Sequence, residues 1–139
     1  VKVFFDANIL IDVLANRQPH YANSAAVCTA AEERRIEGLV SAISFTTIFY
    51  VVRKLSDEAT ARTTLVLLRN AFTPVGCDAR TMNLAIDSKI ADFEDAVQYY
   101  SAVHANADCL LSRNPGDFPR SGECPVLTPA EFLAAHSFE

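Results

Sequence analysis

Residues 92–118 read DFEDAVQYYSAVHANADCLLSRNPGDF, and the fold turns on how they divide. Asp92 precedes an apolar-periodic run over 93–105, so it is placed to cap a helix whose first turn carries Glu94 and Asp95. Asp108 to Ser112 (DCLLS) reads as a short buried strand. RNPGDFP is dense in turn formers and reads as a loop. A helix that feeds a short apolar strand is the unit from which a parallel sheet, covered on both faces, is built.

The same alternation extends outward in both directions. Upstream, residues 2–5 (KVFF) read as a strand, with Asp6 and Asn8 at its carboxyl end and a helix or turn from Ile9 to Leu14. Residues 20–36 are Ala-rich with late charges, which suits an amphipathic helix; Gly38 marks its stop, and 39–43 (LVSAI) form a second strand. The run FTTIFYVVRKL, 45–55, is β-rich by propensity, yet Ile48, Val51, Val52 and Leu55 fall at helical spacing, and periodicity decides for helix. A helix over 57–70 follows, with Ser56 as its N-cap and Glu58 in its first turn. FTPVG, 72–76, is an edge strand because Pro74 cannot donate to a central ladder, and 78–88 is helical. Downstream, 125–127 form a last strand and Pro129 opens a terminal helix over 129–136. The expectation is a single α/β domain over 1–139. Its layers are α/β/α, around a central, mostly parallel sheet of about five strands. Ligands in such folds sit beyond the carboxyl ends of the strands, near the switch in strand order.

Composition narrows the function. Half of the 139 residues are apolar, a fifth are charged, and the net charge is −5. A broadly basic nucleic-acid surface is therefore not advertised, although a bound divalent cation would neutralise acids locally. No apolar run reaches the ~18 residues of a membrane span. VKVFFDANIL, interrupted by Asp6, reads as a first strand rather than a signal peptide, so a cytoplasmic location is expected. Cys28, Cys77, Cys109 and Cys124 are widely spaced with no CxxC pair, which argues against structural zinc and leaves a disulfide as the minor alternative. The glycines make no phosphate-binding loop, the histidines share no zinc spacing, and no GxSxG elbow occurs.

The acids carry the remaining signal. Asp6 follows the first strand, Asp95 lies in a helix mouth, and Asp117 sits in the loop after DCLLS. If the first and fourth strands are neighbours, these carboxylates converge and repel unless a cation stands between them. Hard ions such as Mg²⁺ or Mn²⁺ prefer such oxygen ligands, and a cation so held can activate water against a phosphodiester. Each acid also has an ordinary reading. Asp6 with Asn8 can begin a turn, Asp95 can partner Asp92 in capping a helix, and Asp117 can be a solvated loop residue. Spacing alone leaves both readings open.

Taken together, the segments resemble a known family. VFFDANILIDVL is similar to the opening of the PIN-domain nucleases, DFEDAVQYYSAVHANADCLLSRNPGDF to their later helix–strand–loop stretch, and PVLTPAEFLA to their closing strand and helix. The likeness runs in order along essentially the whole chain and is nearest to the small prokaryotic PIN proteins, which include VapC-type toxins. The resemblance implies a metal-dependent ribonuclease using Mg²⁺ or Mn²⁺, usually a homodimer, with RNA as substrate and an antitoxin as a further partner. It places catalysis and metal binding on Asp6, Asp95 and Asp117, with Asn8, Ser112 and Asn114 as polar neighbours. The helix after strand two normally supplies a Glu, and here that place falls on Thr47, which carries no charge. Asp92, three residues from Asp95 on one helical face, is the candidate replacement, and Glu94 reads as solvated. Arg113 is the expected RNA-backbone contact, with Arg53 and Lys54 flanking the groove, and Tyr99 or Tyr100 either stacks on a base or packs in the core. Residues 45–70 are the expected seam for a second copy or an antitoxin. The rival reading, opened by Thr47, is a non-catalytic or weakly active RNA-binding or regulatory protein on the same fold.

Overall fold

A computed structural model describes residues 1–120 and 122–136. Strands β1 (Lys2–Phe5), β2 (Glu37–Ser41), β3 (Thr73–Val75), β4 (Cys109–Leu111) and β5 (Val126–Leu127) form one sheet in the order β3-β2-β1-β4-β5. Every pairing is parallel. The helices are α1 (Ala7–Leu14), α2 (Tyr21–Glu32), α3 (Ala42–Leu55), α4 (Glu58–Ala71), α5 (Ala79–Asp87), α6 (Phe93–His104) and α7 (Pro129–Ala135). A single 3₁₀ turn, Pro115–Asp117, follows β4.

The two-residue period of the strands sorts the core into layers. Val3 and Phe5 of β1 and Cys109 and Leu111 of β4 face α1, α2, α3, α4 and α7, in one cluster with Ile9, Val27, Ile48 and Phe132. The alternate residues Phe4, Leu39 and Leu110 face the other way, against Tyr99 and Ala102 of α6. Helix α5 packs on α6 through Ala85, Ala96 and Val97. Phe4, Phe5, Leu110 and Leu111 are wholly buried, which is why residues 3–5 of β1 and all of β4 carry no charged side chain on either face. Each contributes about 1.5–3 kcal/mol of burial. The expected three-layer arrangement is thus observed, with Pro74 on the edge strand β3 as its missing N–H requires.

Four boundaries illustrate where the structure departs from the sequence reading. β2 begins at Glu37 and includes Gly38, which was expected to end a helix. A Cβ at Gly38 would stand 2.6 Å from Phe72 Cδ1, so glycine is needed for close strand–helix packing. β2 also stops at Ser41 instead of Ile43, because the Ser41 side chain accepts a hydrogen bond from Ile43 N at 3.3 Å and starts α3. α2 ends at Glu32, short of 36, and the chain leaves it through Arg34 with φ at 62°. α4 is capped by Asp57, which accepts from Thr60 N at 2.7 Å, whereas Ser56 ends α3. All four cysteines are free. Among the described residues, no helix is long and apolar enough to cross a membrane.

Candidate active site

The chain builds β1, β2 and β3 outward in one direction, then returns to lay β4 and β5 on the other side of β1. The switch in strand order therefore lies between β1 and β4, where an open parallel sheet leaves a crevice at its carboxyl edge. Asp6 and Ser112 are the residues that follow these two strands. The Asp6 amide donates to Leu111 O at 3.0 Å, which extends the pairing by one step and locks Asp6 at that edge.

Asp6 is 3% exposed. It caps α1 by accepting from Asn8 N at 3.0 Å, so the turn-forming reading of Asp6 and Asn8 is correct as far as it goes. A cap, however, is ordinarily solvated. Burial pushes this carboxyl up, and the Asn8 amide, the Gln98 and Ser112 side chains and the Arg113 charge pull it back. The Ser112 hydroxyl also accepts from Asn114 N at 3.1 Å, which fixes the turn that leads to Asp117.

The mouth of α6 brings the other acids. Asp92 caps the helix, accepting from Asp95 N at 3.0 Å. Asp95 is pushed up to about 7, first by desolvation and then by the charges of Asp6, Asp92, Asp117 and Glu94. Carboxylates from β1, α6 and the turn after β4 therefore share one electrostatic field. Asp92 contributes its charge but remains exposed, with one oxygen committed to the cap. Glu94, expected to be solvated, is exposed, and its carboxyl is nevertheless pushed up by partial desolvation and by the charges of Asp6 and Asp92. The helix mouth thus offers three acids to the site's field. Thr47 lies half-buried on α3, and Asn8, Asn114 and Asp117 are exposed.

Two contributors were not foreseen. Gln98, only 2% exposed, lies one turn beyond Asp95; its Oε1 accepts from Ala7 N at 2.9 Å and its Nε2 donates to Asp6 Oδ1 at 3.4 Å. Gln98 stands three residues from Asp95 on α6, but nothing in its local sequence marks it as reaching the end of β1. The second is Asp12 on α1, wholly buried, whose Oδ2 is 3.3 Å from Arg113 Nε. Arg113 is therefore tied inward to Asp12 and is not a free surface cation. Arg53 lies over the Phe49 and Tyr50 rings, 5.5 and 4.9 Å from their centroids. Tyr99 packs in the core, its hydroxyl accepting from Cys124 N at 3.4 Å, while Tyr100 is half-exposed.

Several carboxylates with one neighbouring arginine leave uncompensated negative charge, which suits a hard divalent cation. Among the described residues no three Asp, Glu, His or Cys side chains are grouped to ligate one ion directly. Mg²⁺-like ions keep several waters and are held through one or two carboxylates, so the donors fit a partly hydrated ion rather than an all-protein cage.

The PIN domain family model matches residues 2–115. Ribonuclease VapC1 of Aquifex aeolicus (strain VF5) is 26% identical over 136 residues, spanning 94% of this chain and 92% of its own length. Among solved structures, VapBC-1 from nontypeable Haemophilus influenzae superposes with a TM-score of 0.68 at 14% identity, covering 94% of this chain and 99% of that one. A toxin–antitoxin complex from Klebsiella pneumoniae gives 0.67 at 20% identity, covering 91% and 97%. At such identities the structural likeness speaks to the fold alone.

Proposed function

The chain belongs to the PIN-domain family, and on that premise we propose that it is a ribonuclease that hydrolyses RNA phosphodiester bonds with Mg²⁺ or Mn²⁺, as one domain over 1–139. The observation that carries this reading is the shared field at the β1–β4 switch, in which burial first, and then the charges of four other carboxylates, push Asp95 up to about 7. A helix N-terminus favours acids of its own, but it gives no reason to bring Asp6 from β1 and Asp117 from the turn after β4 into the same field. The 26% identical relative is itself named a ribonuclease.

In this reading Asp6, Asp95 and Asp117 would hold the cation, directly or through its waters, with Asp92 supplying the charge that Thr47 lacks. When bound, the ion supplies an acidified water and stabilises charge on the phosphoryl oxygens. The chain's own residues do the rest. Gln98 and Ser112 orient the Asp6 carboxylate, and burial excludes competing water from it. Ser112 holds Asn114 N and so places the turn that carries Asp117. Arg113, held inward by Asp12, faces the negative field and helps keep the Asp6 carboxyl ionised. Asn8 and Asn114 offer exposed amides at the rim.

The Klebsiella pneumoniae structure named as a toxin–antitoxin complex supports a toxin role with a protein antitoxin as partner. Tyr50, Leu55 and Leu67, each more than 60% exposed on α3 and α4, support a homodimer or antitoxin seam there. A cytoplasmic setting is proposed with them. Purified protein incubated with a mixed RNA pool and Mn²⁺, beside an Asp6→Asn variant, tests the activity. Cleavage by the parent alone supports the enzyme. RNA binding without cleavage supports the rival reading raised by Thr47, and equal metal-independent cutting by both proteins refutes the site.

A further inference from the structure

Beside the acids lies a cavity that the proposed chemistry does not use. About 310 Å³ in volume, it is walled by His20, Asn23 and Ser24 from the start of α2, by Arg113 after β4, and by Thr128 before α7. Arg113 joins it to the acidic site, since the same guanidinium lines the cavity and pulls down the Asp6 carboxyl. One of its wall groups lacks a partner among the described residues: the Ser24 hydroxyl, on a residue 1% exposed, makes no hydrogen bond, whereas Arg113 Nε is 3.3 Å from Asp12 Oδ2. Buried polar atoms are ordinarily satisfied, so an orphaned hydroxyl on a cavity wall marks a place where a ligand or water belongs.

The chemistry of the walls selects the ligand. Arg113 is 3.3 Å from the buried Asp12 carboxylate, so the cavity carries little net positive charge and does not suit a second phosphate. The remaining groups are neutral hydrogen-bonding ones. Asn23 presents an exposed amide with donors and an acceptor side by side, Ser24 a hydroxyl, and half-buried His20 a flat ring. Unpaired RNA bases are recognised by this combination: a base splayed from the strand, stacked on an aromatic or histidine ring and hydrogen-bonded along its edge. The volume suffices for one base, at the small end of ligand pockets.

We propose that this cavity is a base-reading subsite that takes the nucleotide next to the scissile phosphate, with Asn23 and Ser24 reading its edge and His20 stacking on it. The proposal rests on the ribonuclease reading for its place in catalysis, but the pocket can be tested apart from it. The four ribonucleoside 5′-monophosphates and inorganic phosphate are titrated separately into the cation-free protein, and backbone amide shifts of Asn23, Ser24 and Thr128 are followed by NMR. One base perturbs these amides more strongly than the other three, and phosphate does not; Asn23→Ala and Ser24→Ala each weaken that binding at least several-fold. Equal response to all four nucleotides, a response matched by phosphate alone, or no response at these amides overturns the subsite. Cut-site mapping on a randomised single-stranded RNA separates the two ideas. A nucleotide preference in the parent that flattens in Asn23→Ala supports the subsite, and an unchanged preference refutes it while leaving the nuclease intact. Absence of any cutting refutes the nuclease, and the nucleotide titration still decides the pocket.

Discussion

Asp95→Asn should make the cation-free protein more stable at neutral pH, although it deletes a proposed metal-site acid. Asp95 rises from an ordinary 3.8 to about 7 because burial and the charges of Asp6, Asp92, Asp117 and Glu94 disfavour its ionised form. A raised carboxyl binds its proton more tightly in the fold than in the unfolded chain. Between about pH 4 and pH 7 the folded state therefore holds more protons, and stability falls as pH climbs through that window. Three units at about 1.4 kcal/mol each would give roughly 4 kcal/mol for a sealed group. Asp95 is only partly buried, so solvent screening reduces the expected loss to about 1–2 kcal/mol. Asparagine does not titrate, and the cap is kept because it uses the residue's backbone amide. Urea melts of both proteins in EDTA, from about pH 4 to pH 8, should show a falling parent and a flatter variant, crossing so that the variant is more stable by about 1–2 kcal/mol at the alkaline end. Parallel pH profiles, or a variant less stable throughout, would refute the claim that the acids oppose one another.

Further outcomes follow from the same contacts. Arg113→Met leaves the wholly buried Asp12 carboxylate without its cation and should cost about 3–5 kcal/mol in urea melts, much of it recovered by adding Asp12→Leu; a loss under about 1 kcal/mol would show that Asp12 has another partner. Gln98→Leu orphans the Ala7 N–H and removes a donor to Asp6, so a stability loss of about 1–3 kcal/mol should accompany weaker Mn²⁺ binding, and retained binding would deny its role in positioning Asp6. Gly38→Ala drives a methyl to 2.6 Å from the Phe72 ring and should lower stability by about 1–3 kcal/mol, measured by thermal melting; an unaffected protein would mean the ring moves freely.

The fold was legible because its strands are short, apolar and separated by helices with clear caps. Even FTTIFYVVRKL, β-rich by propensity, was placed correctly by the spacing of Ile48 and Val52, both now buried against the sheet. Boundaries were less legible where packing overrode local habit. Gly38 looks like a helix stop in isolation, and only the Phe72 ring explains its place in a strand. At the candidate site, Asp6, Asp95 and Asp117 were readable as acids after strands or at a helix mouth, and strand order then brought their charges together. Gln98 and Asp12 act across |i−j| of 92 and between α1 and the β4 loop, and no local pattern reports such pairings. Glu94 is exposed, as its place on the helix suggests, but spacing does not report how far its charge and those of its neighbours reach.

The most direct test of the acidic site is cation binding itself. Mn²⁺ is titrated into the parent, Asp6→Asn and Asp95→Asn proteins, and free ion is followed by its electron paramagnetic resonance signal. The expected result is saturable binding to the parent, weakened at least about tenfold in each variant, the equivalent of roughly 1.4 kcal/mol. Equal binding by all three proteins would contradict a metal site built from the ends of β1 and the mouth of α6.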